Sequence, residues 1–398
     1  MHYRYFFLSA LLLILLAGCK EEKLGPLSEG GPVPAQVSEL KAVPLHGGAR
    51  ISYKLPDDPA LLYVKAEYDI RPGKTQQAIA TYYNNYLTVE GFGDTAEHEI
   101  KLYSVSRGDV RSEPVSIKVK PLSPPVLDAY KSLRFQEDFG GITVNFKNED
   151  SANIVISVLT KDSLGETVTA DIYYTSLKEG QFSVRGFDAE KRWFGLCVRD
   201  RWDNRSDTIA RELTPLYEEQ LDKKKFKGLS LPDDASTFPS GPITNLWNDK
   251  VSGGQSSSNT WFRTVNGSGI PQQVTIDMGT AAKLSRYTMV QRGAFDENNL
   301  LYSAGDPKLW EIWGSNNPSP DGSYDGWVKL LDCESIKPSG SPIGQNTNDD
   351  IAKAQAGQEF TFPIDAPAVR YIRIKLLQTW GNADYMWMAE LTFYGQPE

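Results

Sequence analysis

Apolar residues along this chain alternate with polar ones over short runs, and Gly, Asp, Asn or Pro closes each run. Ile51 and Tyr53, and later Val144 and Phe146, are flanked by polar neighbours, the two-residue period of a strand that buries one face. No 3.6-residue period is sustained anywhere, so the pattern predicts an all-β body. Part of that body is written twice. Gly47-Gly48-Ala49-Arg50-Ile51-Ser52-Tyr53-Lys54 is echoed by Gly140-Gly141-Ile142-Thr143-Val144-Asn145-Phe146-Lys147, and Arg111-Ser112 and Pro121-Leu122 are echoed by Arg205-Ser206 and Pro215-Leu216. Two copies of one domain follow, over residues 37–122 and 123–217, each of a length that fits a seven-strand antiparallel sandwich.

The ends of the chain break this pattern. Arg4 precedes an apolar run over residues 6–16, too brief to cross a hydrocarbon layer about 30 Å thick, so residues 1–18 read as a secretory signal. No later window is long and apolar enough to span a membrane. Residues 24–36 are rich in Gly and Pro and make 19–36 a tether. Residues 218–240 combine a charged stretch with a Pro- and Ser-rich one and predict a linker. Its Lys223-Lys224-Lys225 run, beside Glu218, Glu219 and Asp222, reads as a solvated connector. The last domain is then 241–398.

The chain has 398 residues, more than one core fills. Its 42 basic and 51 acidic side chains leave a net charge of -9, which gives a nucleic-acid backbone nothing to hold. Of three histidines, His2 falls in the signal, leaving His46 and His98, too few for a multi-histidine zinc site. Cys197 and Cys333 fall in different domains, so no disulfide framework is implied. No G-x-S-x-G elbow, Walker loop, dinucleotide fingerprint or H-E-x-x-H is present. Small sandwiches also offer no deep cleft for a carboxylate pair, so the expectation is a protein that is not an enzyme.

Several motifs resemble known families. Leu16-Ala17-Gly18-Cys19 resembles the bacterial lipobox, which implies acylation of Cys19 as the mature N-terminus. Lys20-Glu21-Glu22-Lys23 resembles the signal that sends Bacteroidetes lipoproteins to the outer face of the outer membrane. Ile100-Lys101-Leu102-Tyr103-Ser104-Val105 followed by Ser112-Glu113-Pro114 resembles the late strands of fibronectin type III domains. In the last domain, Thr260-Trp261, Val274-Thr275-Ile276-Asp277-Met278-Gly279, residues 284–292, Trp310-Glu311-Ile312-Trp313-Gly314-Ser315, Tyr371-Ile372-Arg373-Ile374 and residues 389–395 resemble, in that order, the discoidin (coagulation factor 5/8 type C, galactose-binding-like) jelly roll. The whole resembles Bacteroidetes surface lipoproteins encoded with glycan-utilisation systems. That resemblance implies two fibronectin III-like sandwiches acting as a spacer and a terminal jelly roll that captures a glycan without catalysis. The glycosylation pattern at Asn204-Arg205-Ser206 and Asn266-Gly267-Ser268 is chance in such a protein.

Seven of the nine tryptophans lie after residue 229, which directs the search for a site to the last domain. Two of its loops carry sugar-recognition chemistry, in which a flat ring covers the C–H face of a pyranose while amides and guanidinium groups satisfy its hydroxyls. Residues 292–308 hold Arg292, Glu297, Asn298, Asn299 and Tyr302, and residues 378–387 hold Trp380, Asn382 and Tyr385. The candidate carbohydrate-binding set is therefore Arg292, Asn298, Tyr302, Trp380, Asn382 and Tyr385. Trp380 and Tyr302 serve either as exposed platforms or as packing under their own loops, and Arg292 either meets ligand or pairs with Asp296 or Glu297. Trp310, Trp327 and Trp387 alternate with other apolar residues and are expected in the core. The discoidin resemblance also implies a structural calcium held by Asn248, the Lys250 carbonyl, Thr260 and Glu390. Asn248-Asp249-Lys250 departs there from the family's Asp-Gly-Asp. The other expected role is a structural or adhesion lipoprotein whose partner is a protein, such as an outer-membrane transporter.

Overall fold

The computed structural model describes residues 30–252 and 259–398. The signal, Cys19, the run over residues 20–23 and the tether up to residue 29 lie outside the described residues.

The two echoed segments build the same sandwich. The first runs β1 (Ser38–Leu45), β2 (Gly48–Lys54), β3 (Leu61–Arg71), β4 (Lys74–Thr81), β5 (Tyr86–Glu90), β6 (His98–Ser106) and β7 (Val115–Val119), in sheets ordered β1-β2-β5 and β4-β3-β6-β7. The second opens with α1 (Pro125–Ser132) and continues β8 (Arg134–Asp138), β9 (Gly141–Lys147), β10 (Ile154–Lys161), β11 (Thr167–Thr175), β12 (Glu179–Val184), β13 (Arg192–Asp200) and β14 (Ile209–Leu213). Its sheets are ordered β12-β9-β8 and β11-β10-β13-β14. Inward residues of both sheets fill each core, among them Ile51, Val64 and Leu102 in the first and Val144, Ile156 and Leu196 in the second.

The repeated motifs are backbone devices. Gly47 and Gly140 both have φ +63°, a conformation that glycine adopts without strain. A Cβ on Gly48 would lie 2.4 Å from the Val89 carbonyl oxygen, and one on Gly141 only 1.8 Å from that of Val184. Leu122 and Leu216 each close a parallel bridge, to His46 and Phe139. Ser112 Oγ accepts the Ser104 amide at 3.0 Å, and Ser206 Oγ accepts the Val198 amide at 2.8 Å.

The sandwiches are braced against each other and against the last domain. Trp202 lies on Gly91, where a Cβ would meet the indole at 2.9 Å. The Lys74 ammonium donates to the Trp202 carbonyl at 2.7 Å, and Asn204 Nδ2 donates to that of Gly91 at 3.0 Å. Arg185 pairs with Glu359 of the last domain at 3.1 Å.

The expected linker is instead the first part of the C-terminal domain. β15 (Glu219–Gln220) pairs with the final strand, β16 (Lys227–Leu229) pairs with the longest one, and Leu221 and Phe226 enter the main core. Charge density had hidden two apolar anchors. The domain continues through a 3-10 turn (Ile243–Trp247), β17 (Phe262–Arg263), β18 (Gln272–Val290), β19 (Pro307–Ser315), β20 (Val328–Glu334), α2 (Asn348–Ala356), β21 (Gln358–Thr361), β22 (Val369–Thr379), β23 (Trp387–Met388) and β24 (Glu390–Pro397). The main sheet is ordered β15-β24-β18-β22-β19-β20, with β16 and β21 also on β18 and with β17 and β23 paired separately. β18 pairs with β22 along its first half and with β24 along its second, so one bent strand serves both parts of the sandwich.

All-β is the architecture found, with 49% of residues in strands and 8% in helices. Among the described residues no helix is long and apolar enough to cross a membrane.

Candidate functional site

The chain segments that leave β17, β18 and β22 meet at one end of the C-terminal domain. Their backbones are tied together: the Trp387 amide donates to the Gly305 carbonyl at 2.8 Å, the Thr264 amide to Met386 at 3.0 Å and the Ala389 amide to Val290 at 3.0 Å. Tyr302, Ala304 and Asn382 hold positive φ of 53°, 44° and 53° there. Such backbone is unfavourable for non-glycine residues and persists where surrounding packing enforces it.

Tyr302 is not the exposed platform that its Ser and Gly neighbours suggested. It is fully buried with Ala294, Leu301 and Ala354 of α2 in a small separate core. Its hydroxyl donates to the Asp350 carbonyl at 3.3 Å, and burial pushes the phenol up to about 12. Trp380 is half-buried and packs edge-on to Tyr302 with centroids 5.5 Å apart, donating from Nε1 to Ser335 Oγ at 3.1 Å. It too packs under its loop. With its amide turned to the orientation that satisfies both ends, Asn298 donates from its side-chain nitrogen to the Gly293 and Ala294 carbonyls at 3.3 and 3.1 Å and so pins its own turn. These three residues fasten residues 291–306, Tyr302 from within and Asn298 and Trp380 from part-exposed positions.

Arg292, Asn382 and Tyr385 do stay together with the outer end. Arg292 is 3% exposed and pairs through Nη2 with Glu297, the ion-pair alternative, while Nη1 has no partner. Burial lowers its pKa, opposed by Glu297 and Asp306. Asn382 is exposed and Tyr385 half-buried. The Tyr385 ring fills the space over Gly305, where a Cβ would come within 2.5 Å of it.

Sequence reasoning missed the centre of this cluster. The Arg263 guanidinium lies 3.9 Å from the Tyr385 ring centroid, 5.3 Å from that of Trp387 and 5.2 Å from that of Phe238. Arg292 lies 4.4 Å from the same Trp387 ring, and Trp261 meets Trp387 edge-on at 5.5 Å. Trp387, expected in the core, is only half-buried, because β23 is a two-residue strand at the rim. The signal was available in the spacing of Trp261, which immediately precedes β17, and Arg263 two residues on within it; Arg263 stands opposite Trp387 in register.

The residues proposed for calcium do not fit a cation. One Glu390 oxygen accepts the Lys223 ammonium at 2.7 Å and the other accepts the Asp249 amide at 3.1 Å. Lys223 also meets Asp249 Oδ1 at 2.6 Å. Asn248 Oδ1 accepts the Lys250 amide at 2.9 Å, and Asn248 Nδ2 donates to Asn245 Oδ1 and the Asn259 carbonyl. Thr260 is buried. A lysine from the supposed linker thus supplies the positive charge beside Glu390, with Lys223 and Glu390 side chains 9% and 5% exposed.

A cavity of about 260 Å³ lies between the two sandwiches, lined by His46, Glu90, Asp150, Arg201 and Trp202 among others. Its charged groups answer one another. Arg201 pairs with Glu90 at 2.7 Å and stacks 4.1 Å from the Trp202 ring, while His46 lies 3.5 Å from both Asp128 and Asp150. The unanswered chemistry is at the C-terminal end.

Comparison with known proteins covers the chain almost from end to end. Three domains of unknown function match in succession, DUF4959 over residues 34–121, DUF5126 over 122–224 and DUF5000 over 247–395. No curated protein matches the chain. Among solved structures, a two-domain fibronectin type III segment from chicken tenascin is 15% identical, covering 45% of this chain and 99% of that one, with TM-score 0.23. A structure of GH31 CBM32-2 bound to GalNAc is 12% identical, covering 43% and 97%, with TM-score 0.28. A SusE-like protein is 41% identical over 69% of this chain and 100% of its own, with TM-score 0.44. With identity at that level across the whole of the relative, the chain belongs to the SusE-like proteins.

Proposed function

We propose that this protein is a non-catalytic carbohydrate-binding component of a glycan-utilisation system. A lipid on Cys19 holds it at the outer-membrane surface, and it captures sugar with the outer end of its C-terminal domain. The observation that carries this reading is the juxtaposition of Tyr385 and Trp387 with the guanidinium groups of Arg263 and Arg292, next to exposed Asn382. Rings supply apolar area to a pyranose face and fixed donors select among its hydroxyls. Membership of the SusE-like proteins supports the same reading. The braced sandwiches serve as a spacer, and weak single-site affinity is raised by many copies on one surface.

Affinity electrophoresis of the full chain through gels containing single polysaccharides tests it. The wild type is expected to be retarded by at least one polysaccharide, and Tyr385→Ala to lose roughly tenfold in affinity, about the worth of a stacked ring. No retardation by any polysaccharide would contradict glycan capture. That outcome would favour the protein-partner reading, which draws on β11, an edge strand exposing Val168, Ile172 and Tyr174 to a partner such as an outer-membrane transporter.

A further inference from the structure

The cluster around Trp387 is one-sided in its hydrogen bonding. Trp261 Nε1, Trp387 Nε1, Arg263 Nε and Arg292 Nη1 are all buried without an acceptor. All four are donors. Burying a donor without an acceptor costs about 1–3 kcal/mol, and four in one cluster is a concentration that ordinary packing avoids.

The nearby carboxylates face other donors. Glu297 takes Arg292 Nη2, Asp384 Oδ2 takes the Gly267 amide at 2.9 Å, and Asp306 Oδ2 takes the Ser303 amide at 3.4 Å. Arg263 donates from Nη2 to Asn266, a neutral amide, and has no ion pair among the described residues. A half-buried guanidinium surrounded by Tyr385, Trp387 and Phe238 and facing no carboxylate is a charge with its counter-ion missing.

A neutral sugar hydroxyl brings an O–H donor along with its oxygen, whereas the four unpaired buried groups of this cluster are all donors. An ionised carboxylate or sulfate is acceptor-only, with about four lone-pair positions on a carboxylate, and arginine is the side chain best shaped to meet it. From this complementarity we infer that the saccharide taken by this site is an anionic one, a uronic acid or sulfated sugar, whose charged group sits against Arg263 and the indole N–H groups of Trp261 and Trp387. The inference rests on the glycan-capture reading and names its ligand class. Arg263 and Trp387 are themselves only half-buried, so a rotamer change turns their unpaired donors toward a ligand at the rim. The chain as a whole carries a net charge of -9, so attraction of a polyanion requires a local site of this kind.

The test compares the full chain in affinity gels holding polygalacturonate, dextran sulfate or neutral galactan. The expected result is at least about tenfold tighter retention by an anionic gel than by galactan, weakened by added NaCl. Retention by dextran sulfate alone assigns the anion as a sulfate ester; retention by polygalacturonate assigns it as a carboxylate. Arg263→Gln is expected to bring retention down to the galactan level. Trp387→Phe keeps the ring, removes one donor and guards against a merely misfolded variant; it should lose severalfold. Equal or stronger retention by galactan, or unchanged anionic retention in folded Arg263→Gln, overturns the anionic class and leaves glycan capture standing. No retention in any gel removes both.

Discussion

Replacing Lys223 with alanine is expected to lower the stability of the C-terminal domain by about 3–5 kcal/mol, the range for removing one partner of a buried ion pair. Alanine would leave Glu390, 5% exposed at its side chain, with only the Asp249 amide as partner. Burial holds the Glu390 pKa above its ordinary value of 4.5, and the Lys223 ammonium pulls it back down. A carboxylate raised in this way contributes its stability below the unfolded value and loses it as pH rises through the folded one. Without Lys223 the folded value climbs further. The difference between wild type and Lys223→Ala should therefore be largest near neutral pH and shrink as pH falls toward 4.5. Urea unfolding followed at two pH values measures it, and a difference that does not change with pH would show that Glu390 is not the group involved. In the wild type, EDTA and added calcium should leave the midpoint where it is, since the lysine already supplies the cation.

Tyr302→Ala is expected to cost a further class of stability, about 3–5 kcal/mol for deleting a fully buried aromatic side chain, and to free residues 291–306 from α2. Tyr302→Phe removes only the hydroxyl that donates to the Asp350 carbonyl and should cost about 1 kcal/mol. Glycan retention would fall in the alanine variant because Arg292 begins this loop, and it would persist in the phenylalanine variant. Equal loss of retention in both would mean that the hydroxyl itself meets the sugar, against its burial.

The period-two pattern made the sandwich strands legible, and the echoed Gly-Gly pairs mark real backbone constraints, since Gly48 and Gly141 have no room for a Cβ. What misled was local composition. Lys223 to Lys225 looked solvated because Leu221 and Phe226 are sparse among charges, yet they anchor the segment in the core. Two short helices escaped a search for sustained periodicity. α1 follows Pro124 with Pro125 in its first turn, and α2 carries a Thr347–Asp350 capping box, local signals that a nine-residue element offers in place of period. At the site, Gly, Asn and Ser beside Tyr302 suggested exposure, whereas Leu301, Ala294 and Ala354 enclose the ring in a small core. Arg263 was missed because the order of strands, and not sequence distance, brings it opposite Trp387.

Hydrogen exchange of the full chain, with and without the polysaccharide that retards it in the gels, locates the bound sugar on the protein. Slowed exchange confined to residues 261–269 and 380–389, around Arg263, Tyr385 and Trp387, is the predicted result. Protection located instead in β1 to β14, with these two segments exchanging as in the free protein, would place sugar capture on the sandwiches and rule out the Trp387 cluster as the binding site.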